Sequence, residues 1–167
     1  MPVIYSDIPR NADERTTLIA FLEWQRATLE RKCEGLAVDK LRQRAAPPST
    51  LSLLGLVRHL TDVERGWFRR TLAQEEMPDL YSTEADPDGD FDNVDRAAAD
   101  DTFAAWRAAC DQSRQAVGSR QLDDTGRNRQ GQIVSLRWIL VHMVEEYSRH
   151  NGHADLLRER IDGAVGY

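Results

Sequence analysis

Residues 135–162 decide the fold; they read SLRWILVHMVEEYSRHNGHADLLRERID. Apolar residues recur in this stretch every three or four positions, which predicts one long amphipathic helix capped by Ser135. Three of the four histidines of the chain, His142, His150 and His153, lie within it. The segment therefore combines a stripe that faces a core with side chains that can bind a metal or move a proton.

Glu146 and His150 are the most informative pair, because a spacing of four residues places both on one helix face. At about 100° per residue, His150 falls within the apolar stripe and Glu146 at its near edge, whereas Glu145 points to solvent. A histidine satisfied by its core neighbours is the ordinary explanation for His150 alone, but a carboxylate beside it needs a partner. The spacing leaves two partners open: an arginine, Arg137 or Arg149, or a divalent metal.

Three further segments show the same helical periodicity. With the one above, the predicted helices span residues 13–35, 51–74, 96–118 and 135–163. The second follows a break at Pro47 and Pro48, and Ser49 or Thr50 is expected to cap it. Four such helices predict an all-α fold, a four-helix bundle in a single domain of residues 1–167.

The connections between these helices are polar. Residues 74–95 are rich in acids and contain two prolines, so we expect a long acidic surface loop between helices 2 and 3, which could cover a site. Residues 119–132 form a second polar connection, and residues 131–134 are too short a segment to predict a sheet. The length of the first connection means that the bundle need not run simply up and down.

Composition excludes several classes of protein. A formal net charge of −6 argues against broad affinity for nucleic acid, which requires a clustered basic face. No apolar run reaches membrane-spanning length and no secretory signal is recognisable, so we expect a cytoplasmic protein. Exposed apolar surface on the first or third helix would allow a homodimer.

Several conspicuous residues have ordinary packing interpretations. Cys33 and Cys110 form no C-x-x-C pair and are expected to be small buried hydrophobic residues. Tyr147 is expected in the core, and aromatic packing is expected of the tryptophans Trp67, Trp106 and Trp138.

Two strings in the chain resemble those of a known family. They are LLGLVRHLTDVERGWFRR at residues 53–70, around His59, and LRWILVHMVEEYSRHNGHADLLRERIDG at residues 136–163, around Glu146 and His150. With these motifs the chain resembles the DinB-like superfamily of four-helix metalloproteins. It is most similar to the actinobacterial branch that contains mycothiol S-transferases and the mycothiol-dependent maleylpyruvate isomerase.

The resemblance implies a metal centre. In that superfamily one ligand comes from the second helix and two, four residues apart, come from the last, which implies His59, Glu146 and His150 here. Such a set with open positions suits Zn²⁺ first, and also Ni²⁺, Fe²⁺ or Mn²⁺. His153 replaces a glutamine common in the wider family and is expected to be the catalytic residue, either supporting a ligand or facing the substrate.

The function implied by the resemblance is a metal-dependent thiol S-transferase of detoxification. Mycothiol would be the thiol that the metal activates for attack on an electrophilic substrate. One alternative is a metal-dependent hydrolase that uses a metal-bound water, with His153 or His142 as the base. Another is a metal-stabilised stress-response bundle without catalytic activity.

Overall fold

A computed structural model describes residues 5–166 of the chain. In chain order the helices are α1 (Glu14–Cys33), α2 (Val38–Arg42), α3 (Leu53–Glu64), α4 (Gly89–Asp92), α5 (Ala99–Val117) and α6 (Leu136–Asp162). Tyr5–Asp7 form a short 3₁₀ turn before α1, and Arg65–Leu72 continue α3 in π-helical form. Two short strands, β1 (Thr125–Arg127) and β2 (Ile133–Ser135), separate α5 from α6. The predicted all-α class is confirmed, with α1, α3, α5 and α6 as the bundle.

The ends of the bundle helices follow from local side-chain chemistry. Ser135 caps α6 as predicted, accepting a hydrogen bond of 3.2 Å from the backbone N–H three residues later. The helix ends at Asp162 and is followed by Gly163, whose φ of +80° favours glycine. The predicted cap of α3 was wrong: Ser52, and not Ser49 or Thr50, caps it, because the two prolines lie in a turn and an irregular segment follows them before the helix begins.

Contacts along the helices show their relative directions. Residue numbers rise together in the contacts of α1 with α6, which are Glu14–Arg137, Gln25–Ser148 and Lys32–Asp155. They also rise together in the contacts of α3 and its extension with α5, which are Glu64–Cys110 and Arg69–Gln112. They run in opposite senses in the contacts of α3 and its extension with α6, which are His59–His150 and Trp67–His142. The bundle therefore runs up, down, down, up, and the long connection before α5 makes the parallel α3–α5 step possible.

The middle of the bundle holds a buried charge pair. Glu64 is fully buried, and its two carboxylate oxygens accept hydrogen bonds of 2.7 and 2.6 Å from Arg26. The Tyr147 hydroxyl donates to the same carboxylate at 2.8 Å and accepts from the indole N–H of Trp106 at 3.0 Å. Burial alone would lower the pKa of Arg26, but the Glu64 carboxylate raises it well above its usual value, so the guanidinium stays charged. Tyr147 and Trp106 are core residues, as predicted.

The cysteine prediction was right and one tryptophan prediction was wrong. Cys33 and Cys110 are free and buried, and burial raises the pKa of Cys33 to about 12 and also raises that of Cys110. Trp138, by contrast, is 49% exposed, and its ring stacks on His142 at a centroid distance of 4.9 Å. The physical reason is its position about 140° from the centre of the apolar stripe at 100° per residue.

A small hairpin corrects the expectation that the connection before α6 contains no sheet. β1 and β2 pair antiparallel, with Gly126 opposite Val134. The hairpin docks on the π-helical segment so closely that a Cβ added to Gly126 would lie 1.8 Å from the carbonyl oxygen of Thr71. Strands of three residues are too short to show an alternating pattern, so their formation depends on this docking and not on the local sequence.

Two expectations about surfaces meet different outcomes. Within residues 5–166, no helix has the length and apolar character needed to cross a membrane. None of the large exposed hydrophobic side chains of the described residues lies on α1 or α5; they are Tyr5, Val38, Leu80, Ile133, Trp138, Val141, Leu156 and Val165. The homodimer therefore stays a prediction. The positions of these side chains do not support an interface on the first or third predicted helix.

Candidate metal centre

Three predicted ligands meet where α3 crosses α6. The ring centroids of His59 and His150 are 4.6 Å apart, and Glu146 Oε2 lies 3.4 Å from His150 Nε2. One ligand atom from each of the three residues lies within 4.8 Å of the other two. His150 is 9% exposed, whereas His59 and Glu146 are half-buried. The antiparallel packing of α3 on α6 thus brings together side chains from two segments that are far apart in the sequence.

The arginine alternative for Glu146 was wrong. Arg137 pairs with acids at the start of α1 and in the loop before β1, and Arg149 pairs with Glu145, so neither guanidinium contacts Glu146. The hydrogen bond from His150 lowers the pKa of Glu146, and the nearby imidazoles lower it further. Among residues 5–166, the ionised carboxylate therefore has only histidines beside it, an arrangement that suits a metal ligand.

His59 is held by a residue that the sequence analysis did not identify. Its Nδ1 atom lies 2.8 Å from the Asp90 carboxylate, which is buried in α4 within the acidic loop. The contact leaves Nε2 of His59 as the nitrogen free for a ligand. A carboxylate behind a ligating histidine is a common arrangement at metal sites, so the donor set fits a divalent ion.

His153 contacts His150, one of the three predicted ligands. Its Nδ1 atom lies 3.4 Å from Nδ1 of His150, on the side of that ring opposite to Glu146. Partial burial lowers the pKa of His153, and the neighbouring His150 lowers it further, so the ring is neutral at neutral pH. The position supports a role beside His150. It does not support a role in the cavity that opens next to His59, because His153 is not among the residues that line that cavity.

His142 belongs to a second cluster on the same helix. Its Nε2 atom lies 3.5 Å from Glu146 Oε1 and its Nδ1 atom 3.7 Å from Glu145 Oε2, so these three residues also bring ligand atoms together. This cluster shares Glu146 with the first, and its other carboxylate is exposed and paired with Arg149. The aromatic rings of Trp67 and Trp138 cover His142. The set with His59 is the better candidate because it is more buried and joins two helices.

The acidic loop is anchored beside this centre. The carboxylate of Asp62 accepts hydrogen bonds from the backbone N–H groups of Leu80, Tyr81 and Ser82, at 2.6 to 3.0 Å. The Arg58 guanidinium stacks over the Tyr81 ring, 4.1 Å from its centroid. Because two side chains of α3 hold the loop, it forms a fixed wall of the site.

A polar cavity of about 340 Å³ opens next to His59 and Asp90. The hairpin, the loop and the π-helical segment line it, and its hydrogen-bonding side chains include Arg70, Asp79, Ser82, Asn128, Arg129 and Gln130. Arg70 and Arg129 both bind the Asp79 carboxylate, so the two positive charges are partly compensated. The cavity therefore offers a mixture of donors and acceptors rather than a strongly cationic surface.

Comparison with known families identifies the family to which the chain belongs. The family model described as MST, mycothiol-S-transferase, matches residues 17–163. The chain belongs to the mycothiol-S-transferase family. Membership implies an enzyme that transfers mycothiol to electrophiles in a metal-dependent reaction of detoxification, which favours the predicted transferase over the hydrolase and over the bundle without activity. A search of curated proteins found no match to the chain.

For a mycothiol S-transferase, the structure adds functional candidates that sequence reasoning missed. Asp90 comes from the acidic loop, and Asn128 and Gln130 come from the hairpin. The only sequence signal for Asp90 was the acidic character of its loop, in which no single carboxylate stands out. The hairpin residues had no signal, because they reach the site only when β1 and β2 dock on α3's extension.

Proposed function

We propose that this mycothiol S-transferase holds a divalent metal, with Zn²⁺ as the preferred ion, on His59, Glu146 and His150. Two imidazoles and one carboxylate are one of the ligand sets found in open catalytic zinc sites, and Ni²⁺, Fe²⁺ or Mn²⁺ can also bind nitrogen and oxygen ligands. The observation that carries the proposal is that one ligand atom from each of the three residues lies within 4.8 Å of the other two. One of the three is the Glu146 carboxylate, which no arginine or lysine of residues 5–166 neutralises.

The metal would lower the pKa of a coordinated thiol, so that thiolate persists near neutral pH. The chain's own residues prepare this chemistry. His59, Glu146 and His150 hold the ion at the junction of α3 and α6, beside the polar cavity. His153 would support His150: with Nε2 of His150 toward the ion, Nδ1 of His150 would carry the proton and donate a hydrogen bond to Nδ1 of His153.

The polar cavity is the proposed binding site for mycothiol. Hydroxyl-rich sugar groups such as those of this thiol are recognised by mixed arrays of carboxylate, amide and guanidinium groups. Asp79, Asn128, Arg129 and Gln130 supply such an array, and His59 stands at the edge of the same cavity. Sugar groups bound there would place the thiol next to the metal ligands. The neutral His153 lies outside this cavity, so we assign it to ligand support rather than to contact with mycothiol.

The test compares Glu146→Gln with Glu145→Gln, because the two glutamates are adjacent but only Glu146 lies with His59 and His150; Glu145 contacts His142 and Arg149 instead. Protein purified without a metal-affinity tag is analysed for its elements, and zinc affinity is measured by competition with a chelator. The Glu146→Gln variant should lose more than about 100-fold in zinc affinity, since changes outside a ligand set already cost about 10- to 100-fold. Glu145→Gln should retain the wild-type affinity.

The same variants are assayed with mycothiol and a model electrophile, such as an activated alkene, by following the consumption of thiol. Glu146→Gln should lower the rate at least as much as it lowers metal occupancy, and Glu145→Gln should leave the rate unchanged. Equal zinc content and equal rates in the two variants would refute this ligand set.

A further inference from the structure

We propose that Asp90 is a positioning residue of the metal centre, because its carboxylate holds His59 in the tautomer that presents Nε2 to the metal. The inference rests on the proposed function, since it takes His59 as a ligand. Nδ1 of His59 lies 2.8 Å from Asp90 Oδ2. A carboxylate only accepts, and a neutral imidazole has a single N–H. The proton therefore sits on Nδ1, and Nε2 keeps the lone pair that a metal requires.

Asp90 is itself held firmly. Its side chain is 6% exposed, and its other oxygen accepts a hydrogen bond of 3.0 Å from the backbone N–H of Phe91. The Arg58 guanidinium donates to the carbonyl oxygens of Gly89 and Asp90 at 2.9 and 2.8 Å. Arg58 directly precedes His59 in α3, so the helix that carries the ligand also holds the segment that orients it.

A second contact restrains the same imidazole. The Phe91 ring stacks on His59, with centroids 5.0 Å apart and an angle of 25° between the planes. A flip of the imidazole about its Cβ–Cγ bond would put Cδ2 in the place of Nδ1 and break the hydrogen bond to Asp90. Stacking and hydrogen bonding together fix both the plane and the direction of the ring before a metal arrives. Such preorganisation increases affinity because less conformational freedom is lost on binding.

The test uses Asp90→Ala, with Asp92→Ala as the matched control. Asp92 is exposed in the same four-residue helix, so its removal changes the local charge equally without touching His59. Arg58 binds backbone carbonyls, so α4 should keep its place in both variants. Zinc affinity, measured by chelator competition, should fall by about 10- to 100-fold in Asp90→Ala and stay unchanged in Asp92→Ala. Asp90→Asn should lie between them, because its amide oxygen still accepts but carries no charge.

A second readout needs neither metal nor activity. Long-range ¹H–¹⁵N NMR of metal-free protein at about pH 9, above the ordinary imidazole pKa, shows which nitrogen of a histidine carries the proton. The His59 signals are assigned by their loss in His59→Gln. Wild type should show the Nδ1-protonated ring, and Asp90→Ala should populate the Nε2-protonated ring.

Two results would overturn the role of Asp90: an unchanged tautomer in Asp90→Ala, or a zinc affinity equal to that of Asp92→Ala. Wild-type protein that fails to bind zinc would instead overturn the proposed function, and the tautomer measured on metal-free protein would still decide the role of Asp90. The two failures are therefore distinguishable.

Discussion

Replacing Glu64 by Gln removes the negative charge from the centre of the bundle while keeping the shape of the side chain. Glu64 is fully buried, accepts two hydrogen bonds from Arg26 and accepts a third from the Tyr147 hydroxyl. The amide of the variant retains one acceptor, but it removes the only fully buried counter-charge of the Arg26 guanidinium among residues 5–166 and leaves it the partly exposed Glu23. The Arg26 side chain is only 4% exposed, so water cannot replace the carboxylate.

The expected magnitude follows from this burial. Removing one partner of a buried ion pair costs about 3–5 kcal/mol of the free energy of unfolding. For a chain of this size, each kcal/mol corresponds to about 2–4 °C in Tm, so the predicted decrease is about 6–20 °C. Urea titration followed by tryptophan fluorescence measures the free energy directly, since Trp106 hydrogen-bonds to Tyr147 in the same network.

Glu23→Gln is the control for this prediction. Glu23 also accepts a hydrogen bond of 2.7 Å from Arg26, but its side chain is 23% exposed, so its loss should cost only about 1 kcal/mol or less. An Arg26→Met, Glu64→Leu double variant should recover most of the stability, because it leaves no unpaired buried charge. A Glu64→Gln loss no larger than that of Glu23→Gln would refute the reasoning.

Two further predictions concern the hairpin and the pH dependence of stability. Gly126→Ala should raise the KM for mycothiol by about tenfold, with zinc affinity unchanged. Its Cβ would lie 1.8 Å from the Thr71 carbonyl oxygen and would displace the hairpin side chains of the cavity, losing hydrogen bonds worth about 1.4 kcal/mol. Gly152→Ala, whose Cβ would meet nothing within 4 Å, is the control, and equal KM values in the two variants would exclude the hairpin from the thiol site. Burial raises the pKa of Glu23, but Arg114 and Arg26 lower it more, so its pKa lies below the ordinary 4.5. The stability that its charge contributes is therefore present above about pH 4.5 and is lost as the pH falls through the lowered value. Between about pH 5 and about pH 3 the wild type should lose more free energy of unfolding than Glu23→Gln, and parallel urea midpoints would contradict this.

Most of the bundle could be predicted because its helices are long and periodic. α6 shows this best: its cap at Ser135, its apolar stripe and the shared face of Glu146 and His150 are all local consequences of helical geometry. The same arithmetic, applied with care, also places Trp138 far from the stripe, where the structure exposes it. Residue type alone predicts that Trp138 is packed, whereas its position on the helix predicts that it is exposed.

The sequence by itself determined the four long helices, though not the short α2 and α4, and that a carboxylate and an imidazole would share a face of the last helix, because both follow from a repeat of 3.6 residues. Only the tertiary structure decided that α3 runs antiparallel to α6 and brings His59 to Glu146 and His150. It alone decided that Asp90, from a loop with many acids, is the carboxylate that meets His59, and that the turn between β1 and β2 lines the cavity. These contacts join residues tens of positions apart, so they depend on how whole helices pack and on no local repeat.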